Sequence, residues 1–514
     1  MALSNMIRSP QLATAEEVGI LAAKLSAKIE LRRPDIARHV DYLRGEQGRL
    51  MFVSDEFKRY FSARFKNFSD NWCLPVAQAP VERMHFKGLQ ATIGEIPASV
   101  MRAWDRCDAD RGLSEAALMM TAARRSFGLV TQLPNGLARI SFEHPDSCAL
   151  LYDALTGLPY AGLVVRQDDR REYGTLLTPT QVFDVSRARP GYETDNDRRL
   201  PPTVQGWSFN ADSARPNPLG VVPIAEFRNQ SLLDNRPMSD IELVETMQDT
   251  VNVVWAYLLN GLDYASLPAR VIMGGDRLEE PVIDDTTGEV VGARPAQLDR
   301  QINERILQIT GTDVSIGEWS ASNLNAFVPV IEKAVEHIAA ETRTPGHYLL
   351  TKSNVPATGY DVAEAGLVSK TNERIGYMRS GIRELLRLAA LTEGDTAGAL
   401  AVENSRVIFA SPLYRSDAQL MDALLKAKQI GFPFAWLAEQ YGLGPDEVAR
   451  VLEMQREEAE DPELAKIART LEARNGSGLG TGSSSDGTES EQASSTPSGE
   501  YPGGNESMEQ DRFA

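Results

Sequence analysis

The middle of the chain carries the clearest helical pattern of apolar residues. From Ile241 to Leu262 these residues recur every three or four positions, which is the spacing of one face of an α-helix. Ser239 and Glu242 stand three positions apart at its start and predict a capping box, in which each side chain binds a free backbone N–H. We therefore predict a helix over 239–262, a rod of roughly 36 Å at about 1.5 Å per residue.

A second rod follows about sixty residues later. Apolar residues line one side of the segment 324–343, and Pro345-Gly346 predicts its end. The intervening residues 263–322 contain β-prone sequence around 270–273 and an acidic stretch, 284–289, that is typical of a hairpin turn. This interval is predicted to be a small inserted subdomain.

The segments after the second rod alternate between polar and helical character. We predict a polar loop over 347–358, a third long helix over 361–391, a strand over 406–410 and short helices over 416–460. From Asn475 onward the chain consists of Gly, Ser, Thr, Glu and Pro with almost no large apolar side chains, a composition that predicts a disordered acidic tail.

The first half mixes helix and strand signals. A helix is predicted over 16–29, and short β-type segments separated by turn residues such as Thr156-Gly157 predict an antiparallel sheet between Cys148 and Val185. The predicted fold class is therefore α+β, mainly helical.

Charge and composition restrict the function. The 514 residues carry 72 acidic and 53 basic side chains, a formal net charge of −19, which disfavours a protein that grips DNA phosphates by ion pairing. A conduit past which DNA slides has the opposite requirement, because an acidic lining leaves few deep binding minima. Neither an apolar run long enough to span a membrane nor a signal peptide is present, so we expect the chain to stay in the cytosol of the producing cell.

Candidate chemistry is sparse. The cysteines Cys73, Cys107 and Cys148 lack CxxC spacing, and the five histidines lack HExxH spacing. The group Asp105, Asp108 and Asp110 resembles the start of a calcium loop, but the required glycine and closing glutamate are misplaced. A GxxxxGK[ST] loop and a GxSxG elbow are absent. We therefore predict no catalytic residues, no metal site and no cofactor.

Several short segments match a known family in order and spacing. They are 41–47, 65–68, 81–84, 86–88, 218–224 and 344–350. Together they resemble the portal proteins of long-tailed bacteriophages, in the family of bacillus-phage and actinophage type. The segment Pro218-Leu219-Gly220-Val221-Val222-Pro223-Ile224 is especially similar. A departure occurs at 357–360, where many members have a Ser-Gly-Glu-Ala type sequence.

The resemblance implies a ring of twelve subunits around a channel for double-stranded DNA, with a wing, a stem, a clip and a crown. The implied parts are an N-terminal arm (1–30), the wing (31–237 and 361–412), two stem helices (238–262 and 323–344), the clip (263–322), a tunnel loop (345–360), the crown (413–470) and the disordered tail (471–514). The same resemblance implies a virion protein at the capsid portal vertex, assembled in the host cytoplasm without a membrane.

Site residues and partners also come from the resemblance. The tunnel-loop residues expected to face DNA are Lys352, Ser353, Asn354 and Thr358, and an ordinary solvated loop is the alternative. The clip residues expected to dock the packaging motor and the adaptor are Asp276, Glu279, Asp284, Asp285 and Glu289. Implied partners are the terminase large subunit, the head-to-tail adaptor, and the major capsid and scaffolding proteins. Two alternatives stay open, another virion scaffold or head-completion protein and a DNA-processing enzyme such as a nuclease.

Overall fold

The structure is a computed structural model. It describes residues 15–47, 53–64, 68–92, 96–168, 170–188, 206–209, 213–234, 236–266, 270–275, 279–283, 288, 290–295, 306–309, 311–318, 324–349, 357–413 and 417–460. The chain divides into two units, Met1–Ala449 and Arg450–Ala514. In the second unit the description covers only 450–460, which is the C-terminal part of a helix.

Helices predominate among these residues. Their bounds are α1 Ala15–Arg44, α2 Asp55–Arg64, α3 Cys73–Val81, α4 Ala98–Arg106, α5 Ala109–Ala123, α6 Glu245–Ser266, α7 Phe327–Glu341, α8 Gly346–Leu349, α9 Ala357–Thr392, α10 Thr396–Glu403, α11 Asp417–Ile430, α12 Phe434–Tyr441 and α13 Pro445–Glu460. The predicted mainly helical α+β class is confirmed.

The strands form several separate sheets. Their bounds are β1 Phe86–Ala91, β2 Arg125–Gln132, β3 Ala138–Glu143, β4 Cys148–Tyr152, β5 Pro159–Gln167, β6 Arg171–Leu177, β7 Gln181–Ala188, β8 Ser208–Phe209, β9 Arg215–Pro216, β10 Ile224–Arg228, β11 Arg270–Gly275, β12 Glu279–Ile283, β13 Val290–Pro295, β14 Ile306–Ile309, β15 Gly311–Glu318 and β16 Ser405–Phe409. The sheet orders are β4-β5-β6-β7-β8 with β9 on β7, then β10-β2-β3, β1-β16, β14-β11-β15 and β12-β13.

The predicted antiparallel sheet between Cys148 and Val185 is confirmed. Strands β4, β5 and β7 follow the predicted β-type segments, and β6 is an additional strand between them. The Thr156-Gly157 turn forms because Asp153 Oδ1 accepts a hydrogen bond from Thr156 N at 2.8 Å. Gly157 adopts a φ of +69°, which glycine tolerates without steric cost.

The long helix α9 lies at the centre of the largest apolar core. Its fully buried residues Met378, Ile382 and Leu385 pack with Trp104 of α4 and Phe227 of β10. The helix starts four residues before the predicted position and ends one residue after it. The apolar residues of its second half, from Ile375 onward, thus hold helices and a sheet around one rod.

Helix α1 is longer than predicted. Val18, Leu25 and Ile29 are buried against the large sheet, where they meet Leu163 and Phe183. The helix continues to Arg44 through Pro34. Residues 15–44 form one helix packed on that sheet, so the predicted boundary between an arm at 1–30 and a wing at 31 falls inside a helix, and the division into arm and wing stays a prediction.

The first predicted rod starts later than its sequence suggests. Residues 240–244 form turns, and helix α6 begins at Glu245. The capping box is wrong because tertiary contacts engage its groups. Ser239 Oγ donates to Ala122 O at 2.5 Å, and Glu242 Oε1 accepts from Arg124 Nη2 at 2.7 Å.

Helices occupy part of the segment 345–360 that is predicted to be the tunnel loop, and that role stays a prediction. Residues 346–349 form helix α8, and Thr358 belongs to the first turn of α9. Thr358 is therefore a helix residue, in keeping with Pro356 in the sequence, since proline is favoured just at a helix start. The predicted tail at 471–514 lies outside the described residues.

Candidate functional site

Two rods pack together, and a β-rich insertion separates them in the chain. Helices α6 and α7 share an apolar core in which Val251 and Leu258 meet Ile331, Val335 and Ile338. The insertion contains β11 to β15 in two small sheets. Ile283 pairs with Val290 across β12 and β13, so the predicted hairpin turn at 284–289 is flanked by paired strands.

A buried ion-pair cluster connects the segment that precedes α6 to the long helix α9. Asp240, which lies five residues before α6, accepts hydrogen bonds at Oδ1 from Arg374 Nη2 and Asn229 Nδ2, both at 2.9 Å. Lys370 Nζ lies 3.0 Å from Asp240 Oδ2. All four residues are buried. Burial alone would raise the pKa of Asp240, but the two cations hold that pKa below its usual value.

Polar side chains also fix one side of α6 against the segment 70–72. Gln248 Oε1 accepts from Trp72 N at 2.8 Å, and Asn252 Oδ1 accepts from Asp70 N at 3.0 Å. Trp255 Nε1 donates to Asp70 Oδ2 at 2.7 Å. These bonds are directional, so they fix the rotation of the rod as well as its position.

The first residue of α6 lies in a partly buried cluster with α1. Glu245 is 3.4 Å from His39 Nε2 and 3.6 Å from Arg38 Nε. Burial is the main cause that raises the pKa of Glu245 to about 6. Burial, together with Arg124 and Arg38, lowers the pKa of His39 to about 4. At neutral pH this pair is therefore a carboxylate beside a neutral imidazole.

A second ion-pair cluster holds the residues on both sides of segment 350–356. Arg83 Nη1 donates to Glu364 Oε2 at 3.1 Å, and Arg83 Nη2 donates to Tyr348 OH at 2.5 Å. Arg83 Nη1 also donates to Pro412 O at 3.2 Å. His347 Nε2 lies 3.6 Å from Glu364 Oε1. One arginine thus connects helix α8, which precedes this segment, to helix α9, which follows it.

Most of the predicted site residues lie outside the described part of the chain. These are Lys352, Ser353, Asn354, Asp276, Asp284, Asp285 and Glu289. Glu279 is the first residue of β12 and pairs with Pro295 of β13. The proposed roles of all nine site residues, including Thr358, stay predictions.

The residues that form the two clusters are not among the predicted site residues. Arg83 lies in the matching segment 81–84, and Asp240, Glu364, Lys370 and Arg374 lie within predicted helices. A usable signal is that Lys370 and Arg374 stand four apart on a helix, where they face the same side. Two cations on a buried helix face require an acid from elsewhere in the fold.

The chemical capacity of this region is limited. A cleft of about 100 Å³ beside Asp240 and Arg374 is large enough for a few waters. Within the part of the chain that the structure describes, no group of three or more His, Cys, Asp or Glu could hold a metal ion. In the same part, no helix is long and apolar enough to cross a membrane. The arrangement fixes helices relative to one another.

These features define an α+β protein with two packed rods, a β insertion between them and buried ion pairs that connect them to a helical body. The chain belongs to the family "Phage portal protein, SPP1 Gp6-like", which it matches over residues 71–460. The predicted resemblance to phage portal proteins is thereby confirmed, and this family is one of virion structural proteins.

Two named relatives come from mycobacteriophages. The portal protein of Mycobacterium phage D29 is 26% identical over 257 residues, which cover 49% of this chain and 48% of the relative. The portal protein of Mycobacterium phage L5 is 29% identical over 195 residues, covering 36% and 38% respectively. The chain thus matches about half or less of the length of these relatives.

Solved structures of gene transfer agent particles are also similar. The neck of a native particle, computed with C12 symmetry, is 14% identical with a TM-score of 0.39, covering 77% of this chain and 96% of the other. The virion of a native particle is 12% identical with a TM-score of 0.36, covering 79% and 94%.

Proposed function

We propose that this chain is the subunit of a homododecameric ring that forms the DNA channel at the portal vertex of a phage capsid. The observation that carries this proposal is the pair of packed rods α6 and α7, which enclose a β insertion in the chain and of which the first is anchored to helix α9 through Asp240. Family membership supports a portal role. Double-stranded DNA would pass through the ring during packaging and ejection.

The parts of the ring follow the order of the elements. We assign the stem to α6 and α7, the clip to β11–β15, the crown to α11–α13 and the wing to the remaining described helices and sheets. The channel segment is 350–356, between α8 and α9. In this scheme DNA passes along the two rods, and the buried ion pairs keep the angle between the rods and the wing constant.

The charge of the chain suits a channel better than a clamp. With a formal net charge of −19, most of the wall repels phosphate, and isolated cations such as Lys352 supply weak contacts that repeat around the ring. The ring itself needs no bound cofactor and performs no catalysis in this scheme. A nuclease would instead require metal-dependent cleavage.

The proposed partners dock on different parts of the ring. The terminase large subunit and the head-to-tail adaptor bind the clip, while the major capsid and scaffolding proteins surround the wing. Assembly takes place in the host cytoplasm, and the finished ring stays in the virion without contact with a membrane.

Electron microscopy of the purified protein tests the ring. We expect particles with a central hole and twelve-fold symmetry, with no cleavage of DNA when divalent metal is added. A uniform monomer, or a shell-like fragment, would instead favour the scaffold or head-completion alternative.

Charge reversal at Lys352 tests the channel segment. Lys352→Glu should still form rings but should reduce DNA retention or packaging, because each subunit loses a phosphate contact. Lys352→Arg is the matched control and should package normally. Unchanged packaging and infectivity of the glutamate variant would remove Lys352 from the mechanism.

Deletion of residues 276–289 tests the clip. It removes β12, whose described pairing is with β13 alone, and leaves the sheet β14-β11-β15 intact. We expect rings that no longer bind the packaging motor or the adaptor. Normal motor binding by such rings would overturn the clip assignment.

A further inference from the structure

Two leucines are exposed to solvent on the loop between β10 and α6. Leu232 is 66% exposed and Leu233 is 100% exposed. Leu233 also has a φ of +64°, a left-handed conformation that is uncommon for any residue except glycine, asparagine and aspartate. Strained backbone of this kind is found preferentially where a protein binds something.

The loop is closed at its base by hydrogen bonds. Met238 N donates to Gln230 O at 2.7 Å, and Ser231 and Pro237 form a β-bridge. At the tip, Asp234 Oδ1 accepts from Arg236 N at 2.9 Å. We call the described residues 230–234 and 236–237 the leucine loop. Its leucines are presented outward on a fixed turn.

An apolar cleft of about 440 Å³ opens between two of the sheets. Its apolar lining consists of Leu129, Val130, Val164, Leu177, Val185 and Pro223. A cavity of about 150 Å³ holds a benzene molecule, so this cleft has room for two isobutyl side chains. We call it the sheet cleft.

The leucine loop and the sheet cleft lie beyond opposite ends of strand β10. Ile224, at the first end, pairs with Leu129 beside the cleft, while Arg228, at the other end, pairs with Arg125 and leads into the loop. The five residues of the strand separate these ends by about 14 Å at 3.4 Å per residue. The loop and the cleft of one chain are therefore two separate surfaces, and a loop that enters the cleft of the next copy in one direction makes a head-to-tail contact.

The charges near the two features are complementary. The loop carries exposed Asp234 and Arg236 on either side of its tip. Two residues of opposite charge line the cleft, Arg166 and Asp184, whose side chains are 59% and 50% exposed. Each is already paired within its own chain, Arg166 with Glu143 and Asp184 with Arg215, so Asp234 and Arg236 of an inserted loop would join these pairs at their exposed sides.

We propose that Leu232 and Leu233 of one copy insert into the sheet cleft of a second copy of this chain. Such a contact uses two different surfaces and is heterologous, and repeated contacts of this kind close into a ring when the rotation allows it. The inference specifies the subunit contact of the proposed ring and therefore rests on the proposed function. It requires no movement of the packed cores.

The first experiment measures the protein concentration at which rings form, by light scattering and electron microscopy. Leu233→Ser should raise it about 10- to 100-fold, the effect of withholding one leucine from an apolar site. Leu155→Ser is the matched control, because Leu155 is 94% exposed in a different turn, and it should assemble like the native chain. Equal assembly of all three proteins, or equal failure of both variants, would refute the contact.

The second experiment identifies the occupant by disulfide cross-linking. Leu233→Cys combined with Thr175→Cys, at a residue that lines the cleft, should give a ladder of covalent oligomers under oxidation, which each single variant should not give. A cross-link within one chain, or no cross-link in rings seen by microscopy, would overturn the inference while the ring stands. Absence of both rings and cross-links would contradict the proposed function as well.

Leu233→Gly separates assembly from folding. Glycine tolerates the left-handed backbone, so the monomer should melt at the same or a higher temperature, while ring formation weakens as with Leu233→Ser. A glycine variant that assembles as well as the native chain would refute a role for this side chain.

Discussion

Replacing Asp240 with asparagine should remove the counter-charge of Lys370 and leave Arg374 with only the partly exposed Glu373, whose Oε2 lies 3.5 Å from Arg374 Nη1. Arg374 Nη2 and Lys370 Nζ lie 2.9 and 3.0 Å from the carboxylate oxygens. The three side chains are each exposed by 6% or less. Asparagine has nearly the same shape, so the change removes the charge and one acceptor rather than the packing. Its Nδ2 would also face the donor groups of Lys370 or Arg374.

The expected cost follows from the burial of this cluster. Removing one partner of a buried pair destabilises a protein by about 3–5 kcal/mol, because the remaining charge has no solvent to compensate it. Lys370→Met should cost much less, about 1 kcal/mol, since the pair of Asp240 and Arg374 stays balanced. The predicted asymmetry between the two variants is the specific outcome of this geometry.

Amide hydrogen exchange read by mass spectrometry measures the loss locally, in peptides from 238–250 and 361–380. A cost of 3–5 kcal/mol corresponds to protection that falls by about 100- to 4000-fold, at 1.4 kcal/mol per tenfold change. Asp422→Asn is the exposed control. Its pair with Lys426 is about two-thirds solvent-accessible, so its removal should cost no more than about 0.5 kcal/mol. If Asp240→Asn costs less than about 1 kcal/mol, or no more than Lys370→Met, the reasoning is wrong.

Two further variants test the other clusters. Because the pKa of Glu245 is raised from 4.5 to about 6, its contribution to stability is complete below pH 4.5 and disappears as pH rises through 6. Glu245→Gln should therefore gain up to about 2 kcal/mol at pH 8 and nothing at pH 4.5. Melting curves of both proteins between pH 4.5 and 8 measure this gain. An equal change in stability at the two pH values would exclude titration of Glu245 as its cause. Arg83→Ala should make segment 350–356 about 10- to 100-fold more sensitive to protease, because it loses charged hydrogen bonds to Glu364. The cleavage rate of Arg83→Lys should lie between those of the alanine variant and the native chain. Identical cleavage of the alanine variant and the native chain would contradict the role of Arg83.

The long elements could be predicted from local sequence because their apolar stripes are long. Helices α6, α7 and α9 and the β insertion all occupy the predicted segments, with ends that differ by a few residues. The predicted start of α6 was wrong. Ser239 and Glu242 have the spacing of a capping box, but their side chains bond to Ala122 and Arg124, more than a hundred residues away. Tertiary contacts outweigh a cap that is worth about 1 kcal/mol.

The ion-pair clusters could not be predicted by the same reasoning. Asp240 and Arg374 are separated by 134 positions, and Arg83 and Glu364 by 281. No local period connects such residues, since their pairing depends on how helices meet in three dimensions. The family resemblance indicated which segments mattered, as Arg83 lies in one of them, but not which side chains they contact.

One helix carries both clusters, and this gives the Asp240 variant a second consequence. Glu364 and Arg374 are ten residues apart on α9, a distance of about 15 Å along its axis. Because α9 is one continuous helix whose second half is packed in the largest core, it should move as one body when α6 shifts. Asp240→Asn should then also increase protease cleavage of 350–356, although it touches no residue of that segment. Loss of amide protection near Asp240 with unchanged cleavage of 350–356 would mean that the stem and the channel segment are anchored independently.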